Sequence, residues 1–242
     1  MQRWQMIVGM LLPVVVWAGE GDGSAEPLVP TGFVGRVEFA TRQGRVAGGM
    51  GFLVRMEGEP APLLITVQRL FGPEGGLTGE IKRGEMAQCV SSVSWADLMG
   101  GTAVVARATA LPLTLSKLDM AVFRIALPAT GAGGTLGRAN PRPGEALWLV
   151  AALWGQPTNQ VLHRGVVTEA GPDWFKCKFD NGRLVLRGAL GAPYINQAGE
   201  VVGLHVGTFT SRGNVAGSAI GVESLQKDLR RALPQRPGGM RR

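Results

Sequence analysis

A long succession of short, apolar segments constrains this chain more than any other feature. Segments rich in Val, Ile, Leu and Phe follow one another from residue 33 to residue 222, separated by Gly, Pro and Asn. Such spacing is typical of β-strands joined by turns, and Asn181-Gly182 between Phe179 and Leu184 is a strong hairpin signal. The predicted strands cover residues 33–41, 49–56, 62–68, 87–95, 102–109, 120–126, 146–153, 161–169, 174–180, 183–187, 193–197, 200–208 and 214–222.

Only the C-terminal end of the chain predicts a helix. Leu225, Leu229 and Leu233 recur at four-residue spacing, Ser224 is placed to cap the helix, and Pro234 is placed to end it. About a dozen short strands and one terminal helix predict an all-β fold whose sheets close into barrels or sandwiches. The Gly- and Pro-rich stretch 128–144 divides the strands into two halves of similar size.

The N-terminus has the pattern of a secretory signal peptide over residues 1–18. A basic start precedes an apolar run that contains Pro13, and small residues stand before an abruptly polar sequence at Gly19. Residues 19–32 are predicted to be a linker. Removal of the segment would place the protein outside the cytoplasm, secreted or periplasmic, and an uncleaved anchor is the alternative.

Positive charge is concentrated at the C-terminal end. The chain carries a formal net charge of +7, yet residues 19–225 are nearly neutral. A nucleic-acid-binding domain normally carries its basic residues on the folded body, so we expect no nucleic-acid partner. The alternatives for the tail are a solvated segment and a contact with an anionic surface. Its cations are Lys227, Arg230, Arg231, Arg236, Arg241 and Arg242.

The cysteines and histidines predict neither a metal site nor a cofactor. His163 and His205 are the only histidines and lie far apart in the sequence, without other ligands at metal-binding spacing. Cys177 alternates with lysines in the segment Phe175–Phe179, which predicts that its thiol faces a core. Whether Cys177 and Cys89 form a disulfide is left open by the sequence.

Three groups of segments, in chain order, resemble the trypsin-like serine protease family, especially its HtrA-like branch. Residues 49–54 (GMGFLV) and 64–70 (LITVQRL) resemble the strands before and at the catalytic histidine. Residues 119–125 (DMAVFRI) resemble the segment of the catalytic aspartate. Residues 187–193 (RGALGAP) resemble the nucleophile loop, and residues 194–204 resemble the hairpin that follows it.

This resemblance implies two six-stranded β-barrels with the active site between them and a closing C-terminal α-helix. The trypsin-like domain would cover residues 33–225, with an N-terminal barrel over about 33–127 and a C-terminal barrel over about 145–222. Residues 223–242 would form the helix and the basic tail.

The chemistry departs from the family pattern at two of three catalytic positions. The family's His, Asp and Ser fall on Arg69, Asp119 and Leu190. Leucine offers no nucleophile, and a guanidinium cannot act as a general base at physiological pH. The backbone amides of Gly188 and Leu190 would still form the oxyanion hollow. For Arg69 there are two interpretations: a bidentate pair with Asp119, or a side chain that points into solvent.

Three functional hypotheses follow from these residues. The first is an inactive protease homologue that acts as a regulatory module and binds a protein or peptide. The second is an active serine endopeptidase whose triad is rearranged or misaligned here. The third is a structural, envelope-associated protein that uses its basic tail.

Overall fold

The computed structural model describes residues 26–98, 102–113, 115–126, 133–211 and 213–233. The predicted signal peptide 1–18 and the first part of the predicted linker, up to residue 25, lie outside these residues. So do three cations of the basic tail, Arg236, Arg241 and Arg242. Within the described ranges no helix is both long and apolar enough to span a membrane.

The N-terminal strands close into an antiparallel barrel in the order β1-β2-β3-β6-β5-β4. An aromatic cluster fills its interior, where Phe39 lies 4.9 Å from Phe71 and 4.8 Å from Phe123, measured between ring centroids. The strands are β1 (Val34–Thr41), β2 (Gly44–Val54), β3 (Leu63–Thr66), β4 (Val90–Asp97), β5 (Val104–Ala110) and β6 (Ala121–Ile125).

The C-terminal strands close into a second antiparallel barrel in the order β10-β11-β12-β9-β8-β7. Phe175 and Phe179 pack against Tyr194 in its core, and Cys177 between them is buried, as the alternation predicted. Both Cys177 and Cys89 are free thiols. The strands are β7 (Ala146–Val150), β8 (Leu162–Ala170), β9 (Trp174–Phe179), β10 (Pro193–Ile195), β11 (Val201–Ser211) and β12 (Asn214–Gly221).

Two closed six-stranded barrels and a C-terminal helix confirm the predicted all-β fold class. The prediction of a strand over residues 183–187 was wrong. This segment joins neither barrel and contributes only an isolated bridge between Val185 and Trp154. The prediction of a single helix was also incomplete. Short 3-10 turns and one α-helical turn, α1 (Met86–Cys89), connect β3 to β4.

The C-terminal helix α2 (Val222–Ala232) packs Leu225 and Leu229 into the core, as their spacing predicted. The capping prediction for Ser224 was wrong, since the helix begins two residues earlier, after Gly221, and has no side-chain cap. The Ser224 hydroxyl instead donates to the Asp173 carboxylate at 2.5 Å. Leu233 lies just past the last turn rather than within it.

Candidate functional site

Arg69 and Asp119 lie together at the end of the first barrel. Strand β3 leads into a 3-10 turn over Gln68–Phe71, which carries Arg69 outward while its neighbours Gln68 and Leu70 are buried. The Arg69 backbone N–H donates to Asp119 Oδ1 at 2.9 Å, and its side-chain Nε donates to Asp119 Oδ2. The Arg69 side chain is 43% exposed and that of Asp119 is 21% exposed.

This geometry differs from the bidentate pair considered above. Only one guanidinium nitrogen contacts the carboxylate, and the second donor is the backbone of Arg69 itself. A terminal guanidinium nitrogen faces Glu74 at 3.9 Å. Arg69 therefore holds Asp119 at a partly hydrated surface, where an ion pair contributes little to stability.

Arg83 fixes the backbone on both sides of Asp119. Its guanidinium donates to the carbonyl of Leu118 at 2.6 Å and to that of Met120 at 2.8 Å. Partial burial lowers the pKa of Arg83, and the carboxylates of Asp119, Asp228 and Glu80 oppose that shift. Sequence reasoning missed Arg83. Its partners Leu118 and Met120 lie 35 and 37 positions farther along the chain, and no local pattern links residues at that separation.

Leu190, which the resemblance assigns to the nucleophile position, stands in a tight loop of the second barrel. The loop is attached to the first barrel, because the Met50 N–H donates to the Leu190 carbonyl at 2.7 Å. Gly191 has φ +88°, and a Cβ there would lie 2.1 Å from the Met50 carbonyl oxygen and 2.5 Å from Thr66 Oγ1. Only glycine fits this contact between barrels.

The amides of this loop divide into two groups. The N–H groups of Ala189, Gly191 and Ala192 donate to the carbonyls of Leu186, His205 and Ala189, at 2.9 to 3.0 Å. Those of Gly188 and Leu190 have no acceptor among the described residues. Gly188 adopts φ +85°, which favours glycine. These two donors, two positions apart, belong to partly exposed residues and are therefore candidates for binding a ligand.

Both histidines are buried, and their ring nitrogens contact groups of the second half of the chain. His163 is buried, with its Nε2 2.9 Å from the Ala151 carbonyl, and burial lowers its pKa. His205 is fully buried, with its Nδ1 3.1 Å from the Tyr194 hydroxyl and its Nε2 3.5 Å from Thr208 Oγ1. Burial, with a smaller effect of the Arg69 charge, lowers the pKa of His205 to about 3.

A cleft of about 1070 Å³ opens beside the loop and is lined by both barrels. Trp154 and Arg187 contribute to one wall together with Gly188, and Arg36 and Asp97 contribute to the other. Trp154 is 76% exposed. The sequence analysis missed Trp154, although an indole within the polar turn 154–160, which contains Gly155 and Pro157, is a sign of exposure.

The described part of the chain contains no group of three or more His, Cys, Asp or Glu side chains that could hold a metal ion. The site therefore consists of Arg69, Asp119 and Leu190, the two available amides and the adjacent cleft. Such a site can donate hydrogen bonds and hold a ligand, but Arg69 and Leu190 supply neither the imidazole nor the hydroxyl of a Ser-His-Asp triad.

Comparison with family models matches most of the two barrels to one family. A family model described as the trypsin-like peptidase domain matches residues 49–204, more than half of the chain. No curated protein matches the chain.

Several solved protease structures share the fold. The Rv3671c protease from M. tuberculosis, in its active form, is 16% identical over 86% of this chain and 84% of that chain, with a TM-score of 0.56. The HtrA-type protease AlgW, with a decapeptide, is 16% identical over 83% of this chain and 64% of that one, with a TM-score of 0.54. Deg5 is 19% identical over 81% and 86%, with a TM-score of 0.53.

Proposed function

The chain belongs to the trypsin-like peptidase family, and we propose that it is a member without peptidase activity that binds a peptide or protein in the cleft between its barrels. One observation supports this proposal above all: residue 190, which the resemblance assigns to the nucleophile, is a leucine with a hydrocarbon side chain. Arg69 at the position of the base reinforces it, because a guanidinium has no lone pair to accept a proton.

For a rearranged active triad, the described residues offer one couple of a histidine and a hydroxyl on an aliphatic side chain, His205 with Thr208. A histidine whose pKa is about 3 is a poor base at neutral pH, because it has little affinity for the proton that it must remove. Its other nitrogen faces the hydroxyl of Tyr194 rather than a carboxylate. These contacts favour a packing role for His205 over a catalytic one.

The available amides indicate which ligand would bind best. In an active protease the substrate carbonyl becomes an oxyanion only when the nucleophile attacks it. Without a nucleophile no oxyanion forms, so the Gly188 and Leu190 amides would bind a neutral carbonyl weakly and an acceptor that is already negative more strongly. Charge-assisted hydrogen bonds are about twice as strong as neutral ones, so we propose a peptide that ends in a free carboxylate. Arg187, exposed on the same wall of the cleft, adds a compensating charge.

A fluorophosphonate probe tests the absence of catalysis. The probe labels an activated serine covalently, so we expect no label on the purified protein at neutral pH, under conditions in which an active trypsin-like protease is labelled. Covalent labelling of any residue in this chain would contradict the proposal and favour the active endopeptidase.

A peptide library prepared twice, with free carboxyl termini and with amidated ones, tests the ligand class. We expect the protein to retain free-acid peptides at least about tenfold more tightly than their amides, since one charge-assisted contact is lost. Trp154→Ala should weaken retention, whereas the matched control Trp174→Ala, on strand β9 and 42% exposed, should not. Equal retention of both forms would exclude the carboxylate, and no retention of either would exclude peptide binding.

A further inference from the structure

Helix α2 presents a cationic surface that the proposed peptide site does not use. Leu225 and Leu229 face the core, while Lys227, Arg230 and Arg231 are exposed. The sole acidic residue among positions 226–242, Asp228, is only 8% exposed and accepts a hydrogen bond from the Ser116 hydroxyl. From position 226 onward the helix therefore turns its acid inward, 3.7 Å from Arg231, and its cations toward solvent, whereas the exposed Glu223 lies at the opposite end, in the first turn.

An exposed apolar side chain lies beside these cations. Leu115 is 86% exposed, in the loop before β6. It borders a hollow of about 130 Å³ whose other lining residues include Arg231 and Ala232 of the helix. Lys117, two residues farther along the loop, is exposed as well. We call Leu115, Lys117, Lys227, Arg230 and Arg231 the cationic surface.

From this arrangement we propose that the cationic surface docks on an anionic lipid bilayer, a role separate from peptide binding. Lys and Arg side chains beside a membrane are attracted to anionic headgroups, and an exposed Leu gains by entering the boundary with the acyl chains. The sequence continues with three further arginines, Arg236, Arg241 and Arg242, so that residues 226–242 hold six cations against one acid.

A bilayer fits this surface better than the other common polyanion, nucleic acid. Phosphate contacts would use the cations alone and would leave Leu115 exposed to water. Helix α2 also contains no aromatic side chain on which a base could stack. Leu115 therefore distinguishes the two ligands experimentally.

Flotation of the full chain with two kinds of vesicle tests the proposal. One kind contains phosphatidylcholine alone, and the other contains equal parts of phosphatidylcholine and phosphatidylglycerol. The ratio of binding to the two is the readout, because the apolar run at residues 7–18 would contribute to both. We expect a strong preference for the anionic vesicles at low salt that declines as salt is raised.

Variants locate the surface. Lys227→Glu, Arg230→Glu and Arg231→Glu together should reduce binding to anionic vesicles at least about tenfold, and Leu115→Ser should reduce it by a smaller factor. A triple variant with the same charge change elsewhere, Arg142→Glu, Lys178→Glu and Arg183→Glu, should retain most of the binding. Val105→Ser, at another exposed aliphatic residue, controls for Leu115.

Three outcomes would overturn the proposal. One is equal binding to the two kinds of vesicle. Another is an equal loss of binding in the two triple variants, which would indicate an effect of net charge alone. The last is binding to a short DNA duplex as tight as that to vesicles, with Leu115→Ser leaving both unchanged, which would favour nucleic acid.

Discussion

Two arginines contact Asp119 or the residues beside it, and their surroundings differ. Arg83 is partly buried and supplies donors to two backbone carbonyls, whereas Arg69 is half-exposed and pairs with a carboxylate that water also reaches. Because an unpaired carbonyl away from water costs more than a lost surface ion pair, the two side chains should contribute differently to stability.

We predict that Arg83→Ala lowers the free energy of unfolding by about 2–3 kcal/mol, whereas Arg69→Ala lowers it by less than about 1 kcal/mol. Urea denaturation of both variants at neutral pH measures the difference. A loss for Arg69→Ala as large as that for Arg83→Ala would indicate that the pair with Asp119 is effectively buried.

The buried imidazole of His205 makes stability depend on pH in a predictable direction. In the unfolded chain a histidine titrates near 6.5, but in the folded protein the pKa of His205 is about 3. Between these values the unfolded state binds a proton that the folded state does not, so stability falls as the pH is lowered.

His205→Gln removes this titration and keeps a neutral polar side chain. We expect the free energy of unfolding of the variant to change with pH between about 6 and 4 less steeply than that of the parent, by up to about 1.4 kcal/mol per pH unit. Urea denaturation across the range measures both slopes. Identical slopes would mean that His205 is protonated in the folded protein or titrates normally.

At the level of elements, the strand pattern was predictable because short apolar segments are separated by turn residues. In several strands, among them β4, β5, β8 and β9, burial also alternates. The segment 183–187 shows the limit of that inference: Leu184 and Leu186 are 3% and 6% exposed and Val185 is 46% exposed, as in a strand. Alternating burial does not make a strand by itself, however, because a strand must also pair with a neighbouring strand. Among the described residues, only Trp154 forms a bridge with this segment. Conversely, β2 begins at Gly44, five residues before the predicted start at residue 49. Its first residues are mostly polar or small, and their register is set by the tight turn that pairs Thr41 of β1 with Gly44.

The loop that carries Leu190 depends on two glycines for different reasons. Gly188 and Gly191 both have a positive φ, but a Cβ at Gly188 would approach no atom closer than 3.8 Å, whereas one at Gly191 would lie 2.1 Å from the Met50 carbonyl oxygen. Gly188 therefore has a conformational requirement alone, and Gly191 has a steric one as well.

We predict that Gly188→Ala costs about 1–2 kcal/mol of stability and that Gly191→Ala costs at least about 3 kcal/mol, because the contact between barrels must open. Thermal and urea unfolding of the two variants provide the comparison. If Gly191→Ala is no more costly than Gly188→Ala, the loop moves freely away from the first barrel.

At the scale of the whole molecule, the candidate site exists only because two barrels meet. Arg69 and Asp119 come from the first barrel and Leu190 from the second, joined by the hydrogen bond between Met50 and Leu190. The resemblance to the family anticipated this meeting, since each position follows a recognisable segment. It could not anticipate Arg83, because the contacts of Arg83 depend on how separate segments pack.

This architecture makes restoration of catalysis the sharpest test of what was lost. The double variant Arg69→His with Leu190→Ser returns a base and a hydroxyl to a site that retains Asp119 and two amides without acceptors. We expect it to react with a fluorophosphonate probe, which does not depend on a matched peptide substrate, whereas either single variant should not react. Mass spectrometry of the labelled peptide should place the adduct on the new serine. A double variant that unfolds like the parent but remains unlabelled would show that these positions do not come together as a catalytic site, because neither substrate specificity nor misfolding could then account for the failure.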